Sequence, residues 1–147
     1  MPSLKEKQLE LPMAPKPAGY YVPVVSHRNL LFTAGMLPMD NGRLAYTGPV
    51  NDHNIEDGQK AARLAVLNAL AAIKEELGDL SRVIQVVKLT GFVHCASGFG
   101  QQPQVMNAAS ELLVDWFGEN GRHARSAVGV ASLPLNAMVE LELIIAV

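Results

Sequence analysis

Charge, cysteine and aromatic rings are all scarce in this sequence. Charged residues make up 18% of the 147-residue chain and aromatic residues 5%, and there is one cysteine, Cys95. A lone cysteine cannot close a disulfide within the chain, which excludes a disulfide framework and points to a reducing, cytoplasmic setting. Fourteen acids against 12 bases leave a net charge of -2, and no basic cluster exceeds Arg122-His123-Ala124-Arg125. Nothing here recruits a polyphosphate backbone, so nucleic acid is not an expected partner. No positive segment followed by an apolar core opens the sequence as a secretion signal would. The longest apolar-dominated stretch, Met138 to Val147, carries Glu140 and Glu142. It is about half as long as a membrane-spanning helix, and no membrane crossing is expected.

Motifs for cofactors and nucleophiles are equally sparse. Gly98-Phe99-Gly100-Gln101-Gln102-Pro103 follows a strand pattern and precedes a helix pattern, as a dinucleotide fingerprint does. Its third glycine is missing, and proline there removes a backbone donor, so an ordinary strand-to-helix loop is the expectation. His27, His53, His94 and His123 lie far apart with no ligand spacing, and no metal is expected. His94 and Cys95 would point to opposite sides of a strand. There is no Gly-x-Ser-x-Gly elbow, and Cys95 has no local electropositive setting.

What is present is the material of one globular core. Hydrophobic residues reach 49%, mostly Ala, Val, Leu and Ile, and a chain of this length buries roughly 70% of its unfolded surface as a single domain. Prolines at positions 2, 12, 15 and 17 mark residues 1 to 17 as an extended leader before a domain over 18 to 147. Tyr21–Val25 and Leu30–Ala34 suit a first pair of strands, and Asp40-Asn41-Gly42 suits a turn into a short third strand at Arg43–Thr47. A helix is predicted from about Ile55 to Leu77. Asn54 could cap it, Glu56 and Asp57 favour its first turn, and Gly78 could end it. Its stripe Ala62, Val66, Ala69, Ile73, Leu77 prepares one face for a sheet. Arg82–Ala96 reads as a central strand and Pro103–Phe117 as a second helix packed on the first. Ser126–Ala131 and Met138–Ala146 read as the closing strands.

The expected class is therefore α+β, in the order β-β-β-α-β-α-β-β, with two helices on one face of a mixed sheet. Ile84, Val86, Phe92, Val128, Val130 and Ile144 would then form an apolar patch on the uncovered face. Self-association in a closed ring is the simplest way to bury it. One charged residue stands out: Arg125, at the mouth of a strand, where a guanidinium could take a carboxylate through two parallel hydrogen bonds. A solvated charge or a structural ion pair is the commoner use of such a residue. Glu140 and Glu142 share one strand face and could simply protect the sheet.

Taken together, several segments resemble the RidA/YjgF family, also labelled endoribonuclease L-PSP or translation initiation inhibitor. They are Tyr20-Tyr21-Val22, Thr33-Ala34-Gly35-Met36-Leu37-Pro38, Gln59, Asn68, Asn107, Ala124-Arg125-Ser126-Ala127-Val128, Leu133-Pro134 and Val139-Glu140-Leu141-Glu142. The resemblance covers about residues 18 to 147. It implies a chorismate-mutase-like fold and a cofactor-free homotrimer with ligand clefts between subunits. It also implies hydrolysis of reactive 2-imino or enamine acids to 2-keto acids and ammonia. By that resemblance Arg125 would hold the substrate carboxylate and Glu140 would orient or deprotonate the attacking water. Tyr21 and Asn107 would line the pocket, and Ala34 and Ala127 occupy further ligand-binding positions. Ala34 stands where serine is usual, Met36 where glutamine is, Ala127 where cysteine is frequent, and Ser110 where tyrosine is frequent. Two other functions stay open: a non-catalytic, regulatory binder of a small carboxylate metabolite, and the ribonuclease of the older labels. The ribonuclease lacks a basic stripe and a stacking platform.

Overall fold

The computed structural model describes residues 10–147, and residues 1–9 of the expected leader lie outside them. Residues 10–17 form no helix or strand. The elements run β1 (Val24–His27), β2 (Leu30–Thr33), β3 (Met39–Asp40), β4 (Arg43–Leu44), α1 (Ile55–Leu77), β5 (Gln85–His94), α2 (Gln102–Phe117), β6 (Ala124–Val130) and β7 (Val139–Ala146). The main sheet has the order β1-β2-β7-β5-β6. It is mixed, because β5 pairs parallel with β6 while β7 runs antiparallel to both β2 and β5.

The third expected strand is two residues long and pairs with β3 in a separate hairpin. Its turn is the expected Asn-Gly, with Asn41 at φ 51 and Gly42 at φ 80, the pair of positive angles a tight hairpin demands.

Both helices pack on the same sheet face, α1 against β7 and β2, α2 against β5 and β6. The stripe Ala62, Val66, Ala69 and Ile73 is fully buried, and burying a Val or Ile side chain stabilises by about 1.5–3 kcal/mol. Gly78 ends α1 at φ 83 with its N–H on the Lys74 carbonyl, as expected. Asn54 differs from expectation, since its side chain makes no cap bond to α1. It accepts from Asn51 N at 2.7 Å and donates to the Pro49 carbonyl at 3.0 Å, so it holds the preceding turn instead.

In β7 the odd positions Val139, Leu141, Leu143 and Ile145 face the helices and are buried. In β5 the register shifts between Val86 and Lys88, leaving Val87 unmatched. This irregularity inverts the alternation, as a bulge does. Val86 is therefore fully buried on the helix side, a correction to the sequence expectation, and Val87 is exposed. The helix-free face keeps Phe92, Val128, Val130 and Ile144, and the row Val25–Phe32–Ile144 extends it across the sheet. Val25, Phe32 and Val128 are exposed on it. The patch is real, and β6 is an open edge strand beside it.

Candidate functional site

Arg125 is the second residue of β6 and not a residue at its mouth, because β6 begins two residues earlier than the pattern suggested. It pairs in register with Leu89, a buried helix-side residue, so its side chain leaves the sheet toward α2. There Nη1 donates to Asn107 Oδ1 at 3.0 Å and to Ser110 Oγ at 3.1 Å. Asn107 and Ser110 are three residues apart on a helix, which places both on one face. Those two bonds use both Nη1 hydrogens. The Nε and Nη2 edge, the side that matches a carboxylate fork, has no protein acceptor among the described residues. The ion pairs among those residues are Lys60–Glu56 and Arg122–Glu119, and neither involves Arg125.

His123 completes this corner. Its Nδ1 lies 2.7 Å from the Gly121 carbonyl, and its Nε2 lies 2.9 Å from Ser110 Oγ. Burial, followed by the nearby Arg125 charge, holds its pKa below 6.5, against a raising bond to Gly121. His123 has no partner at metal-ligand spacing in the sequence. Its spacing of two from Arg125, which puts both side chains on one face of an extended chain, was the signal available.

Glu140 sits on the opposite side of the sheet. It pairs with Phe92, and Phe92 with Val128, all on the helix-free face. The register separates it from Arg125 by two strands and three residues, about 14 Å between Cα atoms, with the sheet itself between the side chains. Within one chain the two groups therefore do not share a pocket. The Glu140 carboxylate lies against Gly35, where any Cβ would overlap Oε1. Burial raises its pKa above 4.5, and the neighbouring Glu142 adds to the rise.

The segment that holds Gly35 departs from the ladder. Thr33 Oγ1 takes the Leu143 N–H at 2.9 Å, and pairing resumes where Met36 and Leu141 exchange bonds of 2.7 and 3.0 Å. Residues 33–35 thus arch past Glu142 and Leu143, which brings Gly35 against the Glu140 carboxylate. Ala34 is half-buried, with its N–H on the Pro23 carbonyl at 2.8 Å. Tyr21 is exposed, and its hydroxyl accepts from Ala18 N at 3.3 Å. It borders a cavity of about 400 Å³ with Gly35, Met36, Asn68 and residues 13–16. Ala127 pairs with Gly91 on the helix side, two residues from Arg125, and is half-buried. Arg125, Asn107 and Ala127 thus come together on the helix side, Glu140 lies on the helix-free face against Gly35, and Tyr21 borders a separate cavity with Asn68 of α1. No group of His, Cys, Asp and Glu among the described residues could hold a metal ion, and no helix among them is long and apolar enough to cross a membrane.

A mixed sheet with two helices on one face, in this order, defines the chorismate-mutase-like α+β class. The family model described as "YjgF/chorismate mutase-like, putative endoribonuclease" matches residues 3–147, and the chain belongs to that RidA/YjgF family. Protein TCP17 of Trypanosoma cruzi is 40% identical, over 97% of this chain and 91% of that protein. The 2-iminobutanoate/2-iminopropanoate deaminase of Dermatophagoides farinae is 30% identical, over 95% of this chain and 94% of its own length. Among solved structures, Atu1372 of Agrobacterium tumefaciens, a protein of unknown function, is 46% identical with a TM-score of 0.89, covering 98% of this chain and 89% of its own.

Proposed function

We propose that the protein is a cofactor-free hydrolase of reactive 2-imino and enamine acids, with Arg125 holding the substrate carboxylate and Glu140 of a neighbouring copy activating water. The carrying observation is the half-buried Arg125, with Nη1 fixed by Asn107 and Ser110 and no carboxylate of its own chain among the described residues. A fixed guanidinium with an open bidentate edge suits a ligand carboxylate. The similarity to a 2-iminobutanoate/2-iminopropanoate deaminase supplies the substrate class.

Because Arg125 and Glu140 lie on opposite sides of one sheet, a shared site needs a second copy. The exposed apolar patch and the open β6 edge supply a surface for one, and a closed homotrimer is the proposed form. In the reaction, water adds to the iminium carbon while the Glu140 carboxylate takes a proton from it. The resulting carbinolamine collapses as that proton passes to nitrogen and the Glu140 carboxylate takes the hydroxyl proton, so the C–N bond breaks to leave 2-keto acid and ammonia, which carries the last proton away as ammonium. A carboxylate whose pKa is raised is a stronger base for this step.

A non-catalytic carboxylate binder is the second reading, favoured by Ala34, which brings a methyl where a hydroxyl is usual. Arg125→Ala should abolish ammonia release from freshly generated 2-iminobutyrate without changing the oligomer's mass, and Glu140→Gln should slow it by about 10²–10⁴. Mixed in equal amounts through subunit exchange, the two inactive variants should recover roughly a quarter of wild-type turnover, because about one neighbour pair in four unites an intact Arg125 with an intact Glu140. No recovery would place both groups in one chain's site. No acceleration by wild type over buffer would leave the binder.

A further inference from the structure

With a neutral imidazole the hydrogen-bond chain that ends on Arg125 has one consistent direction. The Gly121 carbonyl can only accept, so His123 Nδ1 carries a hydrogen and donates it at 2.7 Å. In the neutral imidazole Nε2 is then an acceptor, and the hydroxyl of Ser110, 2.9 Å away, is the donor. Ser110 Oγ also accepts from Arg125 Nη1 at 3.1 Å. A hydroxyl has one hydrogen and two lone pairs. With the hydrogen given to His123 and one lone pair to Arg125, Ser110 has a single lone pair left for anything bound at the Arg125 edge.

Protonating His123 reverses the outer half of this chain. Nε2–H then donates to Ser110 Oγ, both lone pairs are occupied, and the hydroxyl hydrogen is released. We propose that Ser110 is a ligand-contacting residue of the Arg125 site whose polarity His123 sets: it accepts from a ligand N–H when the imidazole is neutral and donates to a ligand oxygen when it is protonated. His123 is the positioning residue. The proposal rests on the reading of Arg125 as a carboxylate anchor. It assigns the site a preference for an imino acid, whose nitrogen bears hydrogens, over the keto acid product, whose keto oxygen only accepts.

The surroundings leave His123 free to act this way. From α2 it meets Ser110 beside Asn107, neither of which titrates, and from β6 it meets Arg125. In the turn at Gly118–Gly121 the charged Glu119 is engaged with Arg122 at 3.1 Å. Lys88 of β5 reaches Ser126, whose neighbour in register is Thr90 on the helix-free face.

The test measures 2-ketobutyrate binding by calorimetry from about pH 5 to 8, alongside the His123 imidazole resonances in the full chain. Wild type should bind 2-ketobutyrate about tenfold more tightly below the His123 midpoint than above it, and saturating ligand should raise that midpoint by about one pH unit, as linkage requires. Ser110→Ala, a substitution that favours helix, should flatten the pH dependence while the imidazole still titrates. Pronounced pH dependence persisting in Ser110→Ala would reduce the effect to through-space charge and overturn the role of Ser110. Flat binding in wild type would overturn it as well. Absence of 2-ketobutyrate binding at every pH would sink the anchor reading of Arg125, and this proposal with it.

Discussion

Around Arg125 the chain supplies its own hydrogen bonds. Asn107 and Ser110 take both Nη1 hydrogens, His123 braces Ser110, and the Gly121 carbonyl braces His123. Around Glu140 it supplies burial, a like charge at Glu142 and a bare backbone at Gly35, and no donor among the described residues bonds the carboxylate. One corner is organised within a single chain, and the other is held in a costly state within it. The difference teaches where each group's partner is to be found. On the proposed function, the guanidinium fixed on one side awaits a ligand, and the crowded carboxylate on an exposed apolar face awaits water and a neighbouring copy.

The contrast breaks most sharply at Gly35. A Cβ there overlaps the Glu140 carboxylate, which is the far end of a flexible side chain and can swing aside. Gly35→Ala should therefore leave Tm nearly unchanged while lowering kcat for 2-iminobutyrate by about 10²-fold, the usual cost of displacing a reacting group by an ångström. A comparable loss of Tm and activity would show Gly35 to be structural.

A smaller effect is expected on the other side. Asn107 is exposed and orients Arg125 through one charge-assisted bond at 3.0 Å. Removing such a bond is worth about 1.5–3 kcal/mol when the partner is buried and less here. Asn107→Leu should raise KM about tenfold with kcat little altered, because the guanidinium remains but loses one of its two restraints. A drop in kcat with unchanged KM would move Asn107 from carboxylate anchoring to the chemical step.

The architecture was largely legible from periodicity. The spacing in α1 and the strict alternation in β7 each admit one burial solution, and both were found. What escaped were features set by the meeting of elements. The β5 irregularity that buries Val86 is invisible in a strand apolar on both parities. Asn54 is a good cap residue that found partners in the preceding turn instead. Arg125 and Glu140 could be named from the family resemblance, but not their placement on opposite faces, because that depends on β6 and β7 flanking the same strand in a particular register. The bonds of Ser110 to Arg125 and to His123 are likewise a product of α2 crossing β6, and the sequence offered only matching spacings.

The smallest predicted effect concerns stability and tests whether Glu140 is held at a cost. Its folded-state pKa is raised, so the folded chain binds the proton more tightly than the unfolded chain does. Such a group favours the folded state fully below its unfolded pKa, near 4.5, and that contribution is lost as pH rises through the folded value. Glu140→Gln mimics the protonated form at every pH. Its Tm should therefore exceed that of wild type at neutral pH by a small margin, since the site is half-exposed and screened, and the two melting curves should converge as pH falls toward the unfolded value. Equal Tm at pH 7 would mean that water or a neighbouring copy already satisfies the carboxylate. A Gln variant less stable than wild type at neutral pH would mean that Glu140 is held by a favourable partner, and the contrast between the two corners would then be lost.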